Sequence, residues 1–84
     1  MYIGVKKILS ITEYSITIEF TNGDIKVVEL SPYLNKGLFI ELTNPELFAT
    51  AHVSFDAIEW SNGADIDPEF LFDIGLAITD AQGA

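Results

Sequence analysis

The sequence predicts an α+β fold, in which a small antiparallel sheet of a three-stranded meander plus one or two further strands carries two short helices. Residues 14–21 alternate apolar and polar side chains with the period of a β-strand, and the hairpin signal Asn22-Gly23 follows them directly. Residues 44–46 (Asn-Pro-Glu) and 67–69 (Asp-Pro-Glu) have the composition of helix starts. These observations indicate strands in the first half of the chain and helices in the second.

The first half is predicted to be the meander. Its first strand is expected over residues 2–10, where Lys7 interrupts the apolar odd positions and indicates a bulge or an exposed edge. The dipeptide Asn22-Gly23 predicts a two-residue type I′ loop, which sets the register of the hairpin. The expected cross-strand pairs are Thr21 with Asp24, Phe20 with Ile25, and Ile18 with Val27.

The middle of the chain is predicted to leave the meander at Ser31-Pro32, turn at residues 35–37 and enter a short helix. In that helix Asn44 is the expected N-cap and Pro45 the expected first residue. The residues expected to face the core are Leu47, Phe48 and Ala51.

A further strand is predicted over residues 53–60, with a bulge or tight turn near Asp56-Ala57. A second turn is expected at Asn62-Gly63, and the final helix is predicted over residues 70–78, weakened by Gly75. Its apolar stripe would consist of Phe70, Leu71, Ile74, Ala77 and Ile78.

Length and charge restrict the functions available to the chain. Its 84 residues suit one domain over residues 1–84, with residues 79–84 expected to form a frayed tail. The formal net charge is −9, and the four cations are all lysines. Direct binding to nucleic acid or to an anionic membrane is not expected, because both require a basic surface. A basic protein partner, by contrast, would be attracted.

Few residues are available for chemistry. The chain has no cysteine and a single histidine, His52, which leaves few parts for a metal site or a nucleophilic relay. His52 as a lone general base is weighed against His52 at a helix end, and the second interpretation is preferred. No cofactor and no enzymatic activity are expected, and nothing in the sequence forms a phosphate-binding glycine loop.

Two local features have both a structural and a functional interpretation. Asp65, Asp67 and Glu69 have the alternate spacing of a calcium loop, but Pro68 favours a helix start in which Asp67 is the cap. Trp60 is interpreted either as an aromatic platform for a ligand or as a core residue whose indole N–H donates to a carbonyl, and the core interpretation is preferred.

The chain resembles the bacterial family of domains of unknown function numbered 2442. Residues 15–34, residues 42–48 and, most specifically, residues 58–71 (Ile-Glu-Trp-Ser-Asn-Gly-Ala-Asp-Ile-Asp-Pro-Glu-Phe-Leu) carry the resemblance, although this chain has Ser61 and Phe72 where the family more often has proline and tyrosine. The resemblance implies a compact α+β domain of bacterial cytoplasm without catalytic residues. It also implies a second small protein as partner, similar to toxin–antitoxin pairs, or a DNA-binding domain that this chain is expected to lack.

The leading hypothesis is therefore a non-enzymatic, cytoplasmic protein-interaction domain that binds a basic partner, in a toxin–antitoxin-like or regulatory pair. The alternatives are a homo-oligomeric structural domain and a small-ligand sensor domain of a transcription regulator family without its DNA-binding part. One candidate surface is the sheet face expected to carry Thr17, Glu19 and Lys26. The full set of candidate interaction residues is Glu19, Trp60, Asn62, Asp65, Asp67 and Glu69.

Overall fold

Two antiparallel sheets and several short helices make up residues 3–78, the part of the chain described by a computed structural model. The predicted tail at residues 79–84 lies outside the described residues. The α+β class is confirmed: the first sheet consists of the meander and one further strand, and a second, three-stranded sheet accompanies it. The elements are β1 (Val5–Thr12), β2 (Ser15–Phe20), β3 (Ile25–Glu29), α1 (Pro45–Phe48), β4 (His52–Ser54), β5 (Ala57–Glu59), β6 (Asp65–Ile66), α2 (Pro68–Ile74) and β7 (Leu76–Ala77), with 3₁₀ segments at Ser31–Tyr33 and Gly37–Thr43.

The first sheet has the strand order β1-β2-β3-β7, and β1 forms one of its edges. The pairing of β1 with β2 shifts register between Val5 and Lys7 and again between Ile8 and Ser10. The predicted irregularity around Lys7 is therefore confirmed. Bulges and lysines on an edge strand oppose the addition of another strand there.

The register predicted for the β2–β3 hairpin is wrong by one residue. The loop contains three residues rather than two, because the Phe20 amide donates to the Asp24 carbonyl (2.8 Å) and the Gly23 amide donates back to the Phe20 carbonyl (2.9 Å). Gly23 has a φ of 94°, which fits a type I turn followed by a bulge rather than a type I′ turn. The observed pairs are Glu19 with Ile25, Ile18 with Lys26, Thr17 with Val27, Ile16 with Val28 and Ser15 with Glu29.

This shift moves Lys26 to the opposite face of the sheet, since side chains alternate along a strand. Thr17 and Glu19 lie on the outer face, whereas Lys26 lies on the core side beneath α2. The Lys26 ammonium donates to the Phe72 carbonyl (2.7 Å) and lies 3.5 Å from the centroid of the Phe72 ring. The predicted surface of Thr17, Glu19 and Lys26 is therefore corrected, because the three residues do not share a face.

The second sheet has the order β4-β5-β6. The tight turn predicted near Asp56 is confirmed, with Phe55 and Asp56 between β4 and β5, and the Val5 amide of the first sheet donates to the Asp56 carbonyl (2.7 Å). The predicted turn at Asn62-Gly63 is also confirmed and repeats the three-residue geometry of the first hairpin.

The two helices start as predicted, but the second one ends earlier. The side chain of Asn44 accepts from the Glu46 amide at the start of α1, and Asp67 caps α2. The prediction of a helix as far as residue 78 is wrong, because α2 ends at Ile74 and the following residues form β7 along β3. Gly75 permits this change, since a Cβ there would lie 3.0 Å from both the Leu71 carbonyl oxygen and the Lys26 Cβ.

The core lies between the first sheet, the helices and β5. Trp60 is only 1% exposed, and its indole N–H donates to the Phe48 carbonyl at 2.9 Å, which confirms the core interpretation. The other fully buried large side chains include Phe20, Phe48, Ile16, Ile18, Leu30, Leu42, Ile58 and Leu71. Among residues 3–78, no helix is long and apolar enough to cross a membrane.

Candidate functional site

A depression of about 510 Å³ lies beside the second sheet. Asp65, Asp67 and Glu69 line it together with Glu59 of β5, so the structure brings together three of the predicted interaction residues. We call this depression the acidic groove. Its other lining residues are Ile3, Ser54, Phe55, Ala57, Ile66 and Pro68.

The backbone of residues 65–69 positions the carboxylates. Asp65 pairs with Glu59 across β5 and β6, and strand alternation buries Ile66 while Asp65 and Asp67 stay exposed. Asp67 then begins α2, and its Oδ2 accepts from the amides of Glu69 (3.0 Å) and Phe70 (3.3 Å). The helix start predicted from sequence is thus also what places Glu69 at the groove.

The charge of the groove is only partly compensated. The ion pairs in residues 3–78 join Glu19 to Lys6 (3.7 Å) and Lys7 (3.9 Å), and His52 to Glu59 (3.3 Å). None of these pairs involves a carboxylate of residues 65–69. Within the described part of the chain, no three His, Cys, Asp or Glu side chains converge in a way that could hold a metal ion.

His52 is exposed and lies just after α1, on the strand next to Glu59. Its Nδ1 is 3.0 Å from the Thr50 carbonyl oxygen, and its Nε2 is 3.3 Å from Glu59 Oε1. Both partners are acceptors, so only the doubly protonated ring satisfies both contacts. His52 is thus bound to a carboxylate of the groove and to the chain that follows α1.

Phe55 is a residue of the groove that the sequence analysis missed. It stands at the tip of the β4–β5 turn, its side chain is 99% exposed, and its φ is 50°. A phenylalanine is rarely left in water at a left-handed backbone position that favours Gly, Asn or Asp. The change of parity near Asp56 indicated the turn, but no sequence signal showed which residue would occupy its tip.

The remaining predicted interaction residues lie elsewhere. The prediction that Trp60 belongs to an interaction surface is wrong, because its ring is buried in the core. Asn62 uses its side-chain amide to donate to the Leu38 carbonyl (3.3 Å) and to Glu41 (2.9 Å), so it connects its turn to the 3₁₀ segment. Glu19 pairs with lysines on the outer face of the first sheet and does not line the groove.

A second depression of about 310 Å³ shares residues 65–67 with the acidic groove. Tyr33, Phe39 and Phe70 supply three aromatic side chains to it, and we call it the aromatic pocket. The rings of Tyr33 and Phe70 lie 5.3 Å apart at 85°, so the edge of one ring packs against the face of the other. The sequence does not indicate this pocket, because helical periodicity predicts Phe70 in the buried stripe of the final helix. In the structure Phe70 is 39% exposed.

Comparison with known proteins gives a family but no characterised relative. Residues 5–75 match the model of the family described as "Protein of unknown function (DUF2442)". No curated protein and no solved structure matches the chain.

Proposed function

The chain belongs to the DUF2442 family, whose description assigns no activity, and on this premise we propose that it is a non-enzymatic protein-interaction domain that binds a basic partner. The partner's basic segment would lie in the acidic groove. We further propose that the pair acts in bacterial cytoplasm, in a toxin–antitoxin-like or regulatory arrangement. The observation that carries the proposal is the concave acidic groove with an exposed phenylalanine at its rim.

Electrostatic attraction supports a basic partner. The whole chain has a net charge of −9, and the groove concentrates four carboxylates on a concave surface. Carboxylates placed close together in a cleft make the local electrostatic potential more negative, and this potential accelerates association with a basic partner. Within residues 3–78 none of the four pairs with a lysine; His52 Nε2 contacts Glu59 at 3.3 Å, and the other three carboxylates have no ion-pair partner.

Phe55 supplies the apolar contact that charge alone would not give. Aromatic residues are enriched in protein interfaces, where a few buried side chains provide most of the binding energy. Because Phe55 is 99% exposed, nearly all of its surface is available for burial by a partner. Ile66 and Pro68 extend the apolar part of the groove floor.

The proposal is tested by recovery of a partner from native cytoplasm with a tagged chain at low salt. The double variant D65N/E69Q removes two carboxylates of the groove, and the control E46Q/D73N removes two exposed carboxylates that do not line it. Both variants have a net charge of −7, obtained as −9 plus two. We expect the wild type and the control to recover a stoichiometric basic protein and D65N/E69Q to recover much less.

Two outcomes would contradict the proposal. Equal recovery of the partner by D65N/E69Q and by its control would show that the carboxylates of the groove contribute no more to binding than other exposed carboxylates. Recovery of no stoichiometric protein by the wild type at low salt would reject a protein partner. Increasing salt should reduce recovery by the wild type, because exposed charges are screened beyond about 8 Å at physiological ionic strength.

A second candidate function is a homo-oligomeric structural domain, which the outer face of the first sheet favours. Ser10, Thr17, Val27 and Leu76 form one row across the four strands of this face, and Leu76 is 75% exposed. Val27 and Leu76 form the apolar end of this row, and exposed apolar side chains on a sheet face suit a two-fold contact. Light scattering at high concentration tests it: a dimer that L76S converts to a monomer supports this function, and a monomeric wild type rejects it.

A further inference from the structure

The aromatic pocket combines two features that are used to bind organic cations. Tyr33 and Phe70 present perpendicular ring planes, and Asp65 and Asp67 place carboxylates at the same depression. The face of an aromatic ring attracts a cation through its quadrupole, and the attraction strengthens as water is displaced. Carboxylates beside the rings would pair with the same cation through charge-assisted hydrogen bonds.

The carboxylates differ in how far they are already used. Asp67 Oδ2 accepts from two amides at the start of α2, and these bonds leave its Oδ1 for a ligand. Asp65 is exposed and takes part in no ion pair within the described chain. Asp65 is therefore the carboxylate with the greater capacity to bind a cation.

Guanidinium fits this combination better than ammonium. A guanidinium is planar, stacks on aromatic faces and forms two parallel hydrogen bonds with a carboxylate. An ammonium is a compact and strongly hydrated charge, so it loses more solvation in a pocket of about 310 Å³ with aromatic walls.

The same pairing already occurs inside the fold. Lys26 lies 3.5 Å from the centroid of the Phe72 ring and donates to the Phe72 carbonyl. A cation held between a ring face and an oxygen acceptor is thus an arrangement that this chain forms with its own residues.

We propose that the aromatic pocket binds an arginine side chain of the basic partner. In this arrangement Asp65 pairs with the guanidinium, the Phe70 ring stacks on its plane, and Tyr33 contacts its edge. This inference rests on the proposed function, because the arginine belongs to the partner whose remaining basic residues occupy the acidic groove. The two depressions share residues 65–67, so one basic segment can reach both.

The test is an NMR titration that does not require the partner protein. N-acetyl-arginine amide is the probe, and it is added to the ¹⁵N-labelled 84-residue chain. N-acetyl-citrulline amide is the neutral probe of the same shape, and tetramethylammonium is a cation that is not planar. We expect the arginine probe to shift the backbone amide resonances of residues 65–67 and of Phe70, and the citrulline probe to leave them in place. D65N should raise the Kd of the arginine probe by about fivefold or more. F70L, which keeps apolar volume but removes the ring, should raise this Kd by a similar factor. E46Q is the control, because Glu46 is an exposed carboxylate that lines neither depression.

The outcomes separate the pocket from the proposed function. Equal shifts from the arginine and citrulline probes, or shifts from tetramethylammonium alone, would overturn the arginine site. Unchanged recovery of the partner by F70L would overturn the role of the aromatic pocket in anchoring the partner, and it would not contradict binding at the acidic groove. An arginine response in the wild type without any recovered partner would instead reject the proposed function.

Discussion

Replacing Phe55 by asparagine should make the fold more stable and binding weaker. Phe55 has a φ of 50°, in the left-handed region that costs an ordinary L-residue about 1–2 kcal/mol. Asparagine tolerates this region, so F55N should recover a large part of that cost. The lost ring removes almost no packing, because it is 99% exposed. For a domain of this size about 1 kcal/mol corresponds to roughly 4–8 °C in Tm.

The alanine variant F55A separates the backbone from the ring. It removes the same side chain but keeps a Cβ that disfavours positive φ, so its Tm should stay near that of the wild type. Thermal unfolding followed by Trp60 fluorescence measures stability, and co-purification measures recovery of the partner. We expect both variants to recover less partner and F55N alone to gain stability. Equal melting temperatures for F55N and F55A would refute the strain at this turn, and undiminished recovery would show that the ring is not a contact.

Three further predictions concern the fold. W60F should lower the free energy of unfolding by about 2–4 kcal/mol in urea denaturation followed by circular dichroism, because it creates a cavity and removes the shorter of two hydrogen bonds to the Phe48 carbonyl, which keeps only the Ala51 amide (3.3 Å). A loss below about 1 kcal/mol would contradict this. G75A should cost about 1–3 kcal/mol in the same measurement, since its Cβ would lie 3.0 Å from two neighbouring atoms, and a stabilised variant would contradict the close approach. Hydrogen bonds from the Ser15 and Ser31 hydroxyls hold the pKa of Glu29 below its ordinary value of 4.5. The ionised Glu29 carboxylate therefore stabilises the fold above pH 4.5, and this stabilisation is lost as the pH falls through the lower pKa of the folded state. In S15A an NMR titration of the Glu29 carboxyl carbon should show the pKa rising toward 4.5, and an unchanged titration would contradict the hydrogen bond.

The fold class and the helix starts follow from local chemistry, whereas the hairpin register does not. Asn-Gly suits a two-residue loop and equally a three-residue loop with glycine at its bulge. The choice depends on tertiary packing: the observed register puts Val28 opposite Ile16 in the core and places the Lys26 ammonium against Phe72. Neither contact is visible in the hairpin sequence alone.

The end of α2 was missed for a similar reason. Residues 70–78 have helical periodicity, and isolated glycines are tolerated inside helices at some cost. In the structure Gly75 adopts an extended conformation where the chain passes close to Lys26, and Leu76 then pairs with Val27. The edge of β3 needs hydrogen-bond partners, and this tertiary requirement prevails over the local preference.

The candidate site was predictable in its charges and not in its apolar parts. Asp65, Asp67 and Glu69 alternate in sequence, and a short strand followed by a helix cap keeps them at one groove. Tyr33 and Phe70 come from segments far apart in sequence, so no local pattern predicts their contact. Phe55 is exposed because it occupies the tip of a tight turn, where its residue type gives no signal of exposure.

Three of the four lysines belong to strands of the first sheet, and none lines the acidic groove. Lys6 and Lys7 pair with Glu19, and Lys26 points to the core side of the same first sheet. Among the ion pairs of residues 3–78, none joins a lysine to Glu59 or Asp65 of the second sheet. The carboxylates of the acidic groove are therefore a concave part of a widely acidic surface that no described lysine neutralises directly. A charge that is uneven over the surface orients an approaching partner as well as attracting it, so the acidic groove would meet a basic segment before the outer face of the first sheet does.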